Sequence, residues 1–218
     1  MIKIVKNVLD GKTLKHMHAE LSTAKFDNGK LTASGMAKKV KHNYQLDSKA
    51  HPDLIKIVSD TLLKNPSFLL YTMPYKITSP IISRYTVGQT YGYHSDGAEI
   101  NGVRTDISYT LFLEDPKCYE GGELALETGY GEMLFKLSAG DMVIYPTSAL
   151  HRVAPLSKGV RTVAVGWVQS KIRDIKSREI IVDLELTRRE YLLKNEPDKI
   201  TDILLKTSAN LQRMWISH

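Results

Sequence analysis

His94, Asp96 and His151 offer two imidazoles and one carboxylate. That set matches the facial triad, which holds non-haem Fe(II) on one side and leaves positions open for oxygen chemistry. If residues 84–96 run as one strand, His94 and Asp96, two apart, point to the same face and can grip one ion together. His151 must then arrive from a distant strand. Arg161, ten residues beyond it, stands where an anionic co-substrate would need a cation.

Short motifs carry a false-positive risk, and seven His and thirteen Asp give roughly 0.4 chance His-x-Asp matches in a chain of this length. His51-Pro52-Asp53 is such a match. It reads as a helix start, with Pro52 in the first turn and Asp53 serving the dipole, and residues two apart on a helix diverge. His16-Met17-His18 fails in the same way. His94 and Asp96 instead end a strand-like stretch before Gly97, at the rim of a β-structure. Downstream, residues 150–154 alternate, 155–159 turn, and 160–165 run back. A hairpin pairing Val153 with Arg161 would set Arg161 about 7–8 Å diagonally from His151 on one face. A guanidinium facing the interior without an anion is costly, so an inward Arg161 asks for a partner. A slip of one residue turns it out to solvent, and a five-residue loop does not fix the register.

The chain has 218 residues, 42% hydrophobic and 25% charged, which suits one core with extra elements around it. A single cysteine, Cys118, excludes an internal disulfide and fits a reducing, cytoplasmic setting. The start lacks the apolar run of a signal peptide, and no apolar stretch reaches about 18 residues, so no membrane partner is expected. The net charge of +6 is concentrated in residues 1–75, with 12 Lys/Arg against 6 Asp/Glu. Lys38, Lys39 and Lys41 read as a solvated charge run. Without an RNA-binding aromatic signature, zinc-finger spacing or a P-loop, a nucleic-acid partner is not expected.

To position the site, residues 8–23 and 51–64 carry helical periodicity. Seven short runs rich in β-branched and aromatic residues follow between 77 and 169: 81–86, 107–113, 122–126, 132–137, 141–145, 150–154 and 160–168. Helical pattern returns over 184–211, with a break at Glu196-Pro197-Asp198. The expectation is an α+β fold: a β-barrel of double-stranded β-helix (jelly-roll) type, flanked by N-terminal helices and a C-terminal helical tail. Residues 1–75 form the helical support, 76–170 the barrel core and 171–218 the helical extension.

The residues from Arg84 to Asp96 resemble the first metal-ligand strand of prolyl 4-hydroxylase-like Fe(II)/2-oxoglutarate-dependent dioxygenases. Asp106 to Leu113, Tyr119-Glu120-Gly121-Gly122-Glu123-Leu124, Ala139-Gly140-Asp141, Tyr145-Pro146, Leu150-His151-Arg152-Val153 and Gly166-Trp167-Val168-Gln169-Ser170 follow in order. They are similar to one branch of these enzymes, the PKHD-type hydroxylases. The resemblance implies Fe(II) on His94, Asp96 and His151, and a salt bridge from Arg161 to the distal carboxylate of 2-oxoglutarate. It also implies a hydrogen bond to that carboxylate from Tyr85, whose other reading is a packed strand aromatic. Its co-substrates would be 2-oxoglutarate and O2, with ascorbate as a further cofactor, and its products succinate, CO2 and a hydroxylated C–H bond. The substrate implied is a prolyl or other residue of a protein or peptide. Small metabolites linked to iron handling stay open, as does a non-catalytic barrel that senses metal or 2-oxoglutarate. A cupin-like metalloenzyme fits less well, because cupins favour more histidine-rich ligand sets. The Tyr-Glu-Gly-Gly-Glu-Leu segment has no evident chemistry, and its glycines suggest a tight turn or a close backbone approach. Substrate choice would lie in mouth loops such as 97–104 and 115–121.

Overall fold

Two antiparallel sheets face each other, and the strand at the centre of the larger one explains why. Arg161–Ser170 is ten residues long and buried along most of its length. Its even positions Ala164 and Val168 join the core under the helices, while Val163 and Val165 join the cluster between the sheets. This follows from the two-residue side-chain period of a strand. The computed structural model describes residues 1–32 and 35–217.

The larger sheet runs Lys3–Val5, Met142–Pro146, Ile107–Phe112, Arg161–Ser170, Ile81–Tyr85, Tyr44–Leu46, Phe26–Asn28, and Pro74–Ile77 also pairs with the long strand. The smaller sheet runs Gly131–Phe135, Leu124–Thr128, His151–Val153, Thr90–His94, Lys41–His42. Phe112, Val143, Tyr145 and Val163 from the first meet Leu124, Leu126 and Phe135 from the second, closing one end of the space between the sheets. The other end stays open as a cavity.

Helices cover the outer face of the larger sheet. Gly11–Thr23 is capped by Asp10, which accepts from the Thr13 amide at 2.7 Å, and buries Met17 and Leu21. Pro52–Lys64 has proline in its first turn and buries Leu54, Val58 and Leu62 at helical spacing. Phe68, from Pro66–Thr72, meets Tyr109 edge to face at 5.9 Å. Each such fully buried apolar side chain contributes about 1.5–3 kcal/mol, and this layer holds the sheet rigid behind the site. Leu62→Ala, at 0% exposure, would cost about 2–5 kcal/mol.

Four expectations are corrected. Residues 84–96 are not one strand: Ile81–Tyr85 ends in the larger sheet, and Thr90–His94 begins in the smaller one. Between them the Gln89 amide donates to the Thr86 carbonyl at 3.0 Å, and Gly88 takes φ +82°, so the chain turns and changes sheet. No hairpin joins 150–154 to 160–165. His151–Val153 pairs with Leu124–Thr128 and Thr90–His94, Leu156–Gly159 pairs with Tyr119–Gly121, and Arg161 pairs with Tyr85. Residues 1–75 supply strands as well as helices, because Lys3–Val5, Phe26–Asn28, Lys41–His42 and Tyr44–Leu46 all join the sheets. The tail begins earlier than its periodicity suggests, as Ile175–Leu192, and continues as Lys199–Trp215 behind an Asp198–Thr201 capping box.

Candidate active site

His94 closes the Thr90–His94 strand, His151 opens His151–Val153 beside it, and the register sets the two directly opposite each other. Their ring centroids are 4.3 Å apart. Asp96 lies just past the strand end and brings its carboxylate to both: His94 Nε2 to Oδ1 is 3.8 Å, and His151 Nε2 to Oδ2 is 3.7 Å. These gaps exceed a hydrogen bond yet stay below two metal–ligand bonds of about 2.1 Å each, so one ion can bridge them. Among the described residues this is the His/Cys/Asp/Glu cluster whose ligand atoms all lie within 4.8 Å of one another. His51 instead stands at the start of the Pro52–Lys64 helix without a side-chain capping bond, and His16 and His18 lie on Gly11–Thr23.

The fold also holds each of the three side chains in place. His94 Nδ1 donates to the Gly92 carbonyl at 2.8 Å and His151 Nδ1 to the Ala149 carbonyl at 2.9 Å. A carbonyl only accepts, so Nδ1 carries the proton and Nε2 keeps its lone pair for a ligand. Asp96 Oδ2 accepts from Trp167 Nε1 at 2.8 Å and from Ser108 Oγ at 3.0 Å. Tyr91 stacks on the His94 ring at 3.6 Å, and Tyr145 meets His151 edge-on at 5.4 Å. Burial and the neighbouring His151 lower the His94 pKa to about 4, so the imidazole is neutral at ordinary pH. Neutral imidazole is the form that binds metal.

Arg161 faces this cluster from the opposite sheet, across a cavity of about 610 Å3. Its side chain is 1% exposed, and neither Nε nor Nη1 has a hydrogen-bond partner. The guanidinium lies 5.1 Å from the centroid of Tyr85 and 5.6 Å from that of Phe112. Tyr85 is buried beside it and lines the same cavity, and burial pushes its phenol pKa up while Arg161 opposes the shift. Gly122 explains part of the Tyr-Glu-Gly-Gly segment: φ is +69°, and a Cβ there would stand 3.0 Å from Arg161 Cδ. The glycine is what lets the arginine stem pass.

The sequence reading therefore named residues that the fold brings to one cavity, although by a route it did not foresee. Ser108 and Trp167 lie in segments that resemble the family but carry no role legible from sequence, and only their register opposite each other reveals the pair that holds Asp96. Lys41 it placed in solvent. The side chain is 6% exposed, lines the cavity over the Tyr91 ring, and burial pushes its pKa down to about 8. Strand alternation turned it inward, while Lys38 and Lys39 stay exposed. Of the mouth loops, 97–104 contributes Gly97, Glu99 and Ile100 to the lining, whereas 115–121 supplies Tyr119, packed behind the cavity against Tyr85 and Leu156. Among the described residues no helix is long and apolar enough to cross a membrane.

Residues 80–169 match the model of the 2OG-Fe(II) oxygenase superfamily, whose members use Fe(II), 2-oxoglutarate and O2. A PKHD-type hydroxylase of Gloeothece citriformis (strain PCC 7424) is 45% identical over 218 residues, covering 99% of each chain. Among solved structures, a prolyl hydroxylase in complex with a hypoxia inducible factor oxygen degradation domain peptide fragment, from Trichoplax adhaerens, superposes with a TM-score of 0.59. It is 18% identical over 82% of this chain and 86% of that one. A Pseudomonas putida prolyl-4-hydroxylase gives a TM-score of 0.56 at 17% identity, covering 78% and 92%. At such identities the structures speak for the fold alone.

Proposed function

The chain belongs to the PKHD-type hydroxylases of the 2OG-Fe(II) oxygenase superfamily, and from that premise we propose that it hydroxylates a prolyl or other residue of a protein or peptide. In this reading His94, Asp96 and His151 hold Fe(II), and Arg161 with Tyr85 holds the distal carboxylate of 2-oxoglutarate. The two facing sheets are the walls of a double-stranded β-helix, residues 76–170 are its core, and the enzyme works in the cytoplasm.

The observation that carries the reading is the buried guanidinium of Arg161, whose Nε and Nη1 have no hydrogen-bond partner, lining the same cavity as the two imidazoles and the carboxylate. An enclosed cation is costly without an anion, and a dicarboxylate spanning the gap supplies one at the right end. The donor set suits a ferrous ion, with two imidazole nitrogens and one carboxylate oxygen converging from one side. When bound, Fe(II) with O2 and 2-oxoglutarate supplies the oxidation: the co-substrate becomes succinate and CO2, and one oxygen atom enters a C–H bond of the substrate.

The protein does the rest. The Nδ1 bonds of His94 and His151 fix the ring orientations, and Trp167 and Ser108 keep the Asp96 carboxylate from rotating. Arg161 and Tyr85 fix the far end of the co-substrate, and the apolar side chains Leu124, Val153, Val163 and Val165 limit water around it. A peptide substrate is supported by the peptide bound to the Trichoplax adhaerens prolyl hydroxylase, whose fold this chain shares. The test is succinate formation under Fe(II), air, ascorbate and 2-oxoglutarate, with proline-containing peptide libraries and mass detection of a gain of one oxygen. Peptide-stimulated succinate with a matching oxygen gain is expected. Absence of peptide oxidation alongside stimulation by a small metabolite would overturn the substrate assignment.

A further inference from the structure

Another enclosed polar group faces the cavity and has no task yet. Asn43 is 3% exposed and lines the cavity; neither its Oδ1 nor its Nδ2 makes a hydrogen bond of full geometry, and the side chain lies beside the Tyr85 phenol, whose ionised form it favours. A buried carboxamide left unpaired is costly, and native proteins rarely tolerate one without a use for it.

Register explains how Asn43 reaches the site. Tyr44 lies opposite Arg84 and Gln45 opposite Ser83. Continued by one residue, that register sets Asn43 opposite Tyr85, and Tyr85 is itself opposite Arg161. Asn43, just ahead of the Tyr44–Leu46 strand, thus continues the row of Tyr85 and Arg161, with neighbouring strands about 4.8 Å apart. All three line the same cavity. The chain around Asn43 also passes from one sheet to the other, because Lys41 pairs with Tyr91 in the smaller sheet and Tyr44 with Arg84 in the larger. On its other side the Asn43 Oδ1 presses against Gly29, where a Cβ would come within 1.9 Å. Nδ2 is then the atom left to meet a ligand.

A carboxylate offers about four lone-pair positions. The Arg161 fork can fill two and the Tyr85 hydroxyl a third. We propose that Asn43 fills the fourth: its Nδ2 donates to the distal carboxylate of 2-oxoglutarate beside Arg161, so that segment 41–45 of the N-terminal third completes the co-substrate pocket. This rests on the reading of Arg161 as the anchor. The segment thereby acquires a binding role beyond supporting the core.

The experiment titrates 2-oxoglutarate anaerobically into the Mn(II)-loaded full chain, as wild type, Asn43→Ala, Asn43→Asp and Arg161→Gln. In parallel it uses 2-oxobutyrate, which keeps the 2-oxo acid end and lacks the distal carboxylate. Asn43→Ala should weaken 2-oxoglutarate about tenfold, the effect of one hydrogen bond to a charged group. Asn43→Asp, nearly the same shape, should weaken it by about a hundredfold by setting one carboxylate against another. Affinity for 2-oxobutyrate should stay within about twofold in every variant, and thermal melting of each Mn(II) form reports that it is folded. If both Asn43 variants bind 2-oxoglutarate like wild type while Arg161→Gln does not, the anchor stands and the Asn43 assignment is overturned. Equal losses for both ligands would overturn it as well, since they would report a distorted cavity. If Arg161→Gln also binds normally, the anchor reading fails, and this inference fails with it.

Discussion

The two ends of the cavity are built on opposite principles. At the metal end, each of the three candidate ligands has its outward atoms tied down: His94 to Gly92, His151 to Ala149, Asp96 to Trp167 and Ser108. At the proposed co-substrate end, Arg161 is enclosed with its Nε and Nη1 unbonded, and Asn43 is enclosed with neither side-chain polar atom in a full hydrogen bond. The first arrangement is organised before anything binds; the second, under the proposed function, is completed by an anion. The difference teaches where each kind of binding energy comes from. Under the proposed function, metal affinity would draw on geometry already fixed by the sheets, whereas co-substrate affinity would draw on relief of a buried cation whose donors are not all used.

The largest effect should come from the metal end. Asp96→Ala or His151→Ala should abolish succinate formation and Mn(II) binding while the melting temperature stays within a few degrees, since these groups line a cavity rather than fill the core. Retained Mn(II) binding in either variant would break the comparison at its first term. Next, Arg161→Gln removes one partner of a desolvated charge pair, a loss of about 2–5 kcal/mol, or roughly thirtyfold to a few thousandfold in 2-oxoglutarate affinity. Arg161→Lys should fall between, because it keeps the charge and loses the fork. Binding of Mn(II) without co-substrate should hardly change in either, which equilibrium dialysis can check.

Smaller effects sharpen the contrast. Trp167→Phe deletes one donor to Asp96 and should lower metal affinity by about 10–100-fold with the fold intact, as measured by competition with a chelator. Lys41 gives a pH signature. Its folded pKa of about 8 lies below the ordinary lysine value of 10.5, chiefly through burial. The unfolded chain therefore binds the extra proton between those values, so charged Lys41 penalises the fold below about pH 8, and the penalty lifts as pH rises. Relative to Lys41→Met, wild type should gain on the order of 2 kcal/mol between pH 8 and 10.5. A constant difference in melting temperature across that range would contradict the assignment. His51→Ala, at a helix start remote from the cavity, should leave both metal and 2-oxoglutarate affinity unchanged.

The residues that the fold gathers at the cavity were legible in the sequence because a metal-binding set calls for particular residue types at particular spacings, and His94-x-Asp96 reads the same whether its strand is long or short. The strand runs were legible too, within a few residues, from β-branched alternation. Pairing was not. Nothing local at residues 155–159 says that Leu156–Gly159 pairs with Tyr119–Gly121, and so places His151 and Arg161 in different sheets. Gly88 was the available signal that residues 84–96 bend, and it is weaker than the alternation around it. Lys41 and Asn43 were hidden for a related reason: a two-residue strand shows too little periodicity to tell its inward face, and Asn43 lies between two such short strands.

The central claim is that one ion and one dicarboxylate share this cavity, held from opposite sheets. A crystal structure with Mn(II) and 2-oxoglutarate, grown without oxygen and phased at the manganese edge, tests it most directly. The account predicts a single ion on His94 Nε2, His151 Nε2 and a carboxylate oxygen of Asp96, with the far carboxylate of 2-oxoglutarate on Arg161. An ion bound elsewhere, or a co-substrate carboxylate that leaves Arg161 unpaired, would contradict it.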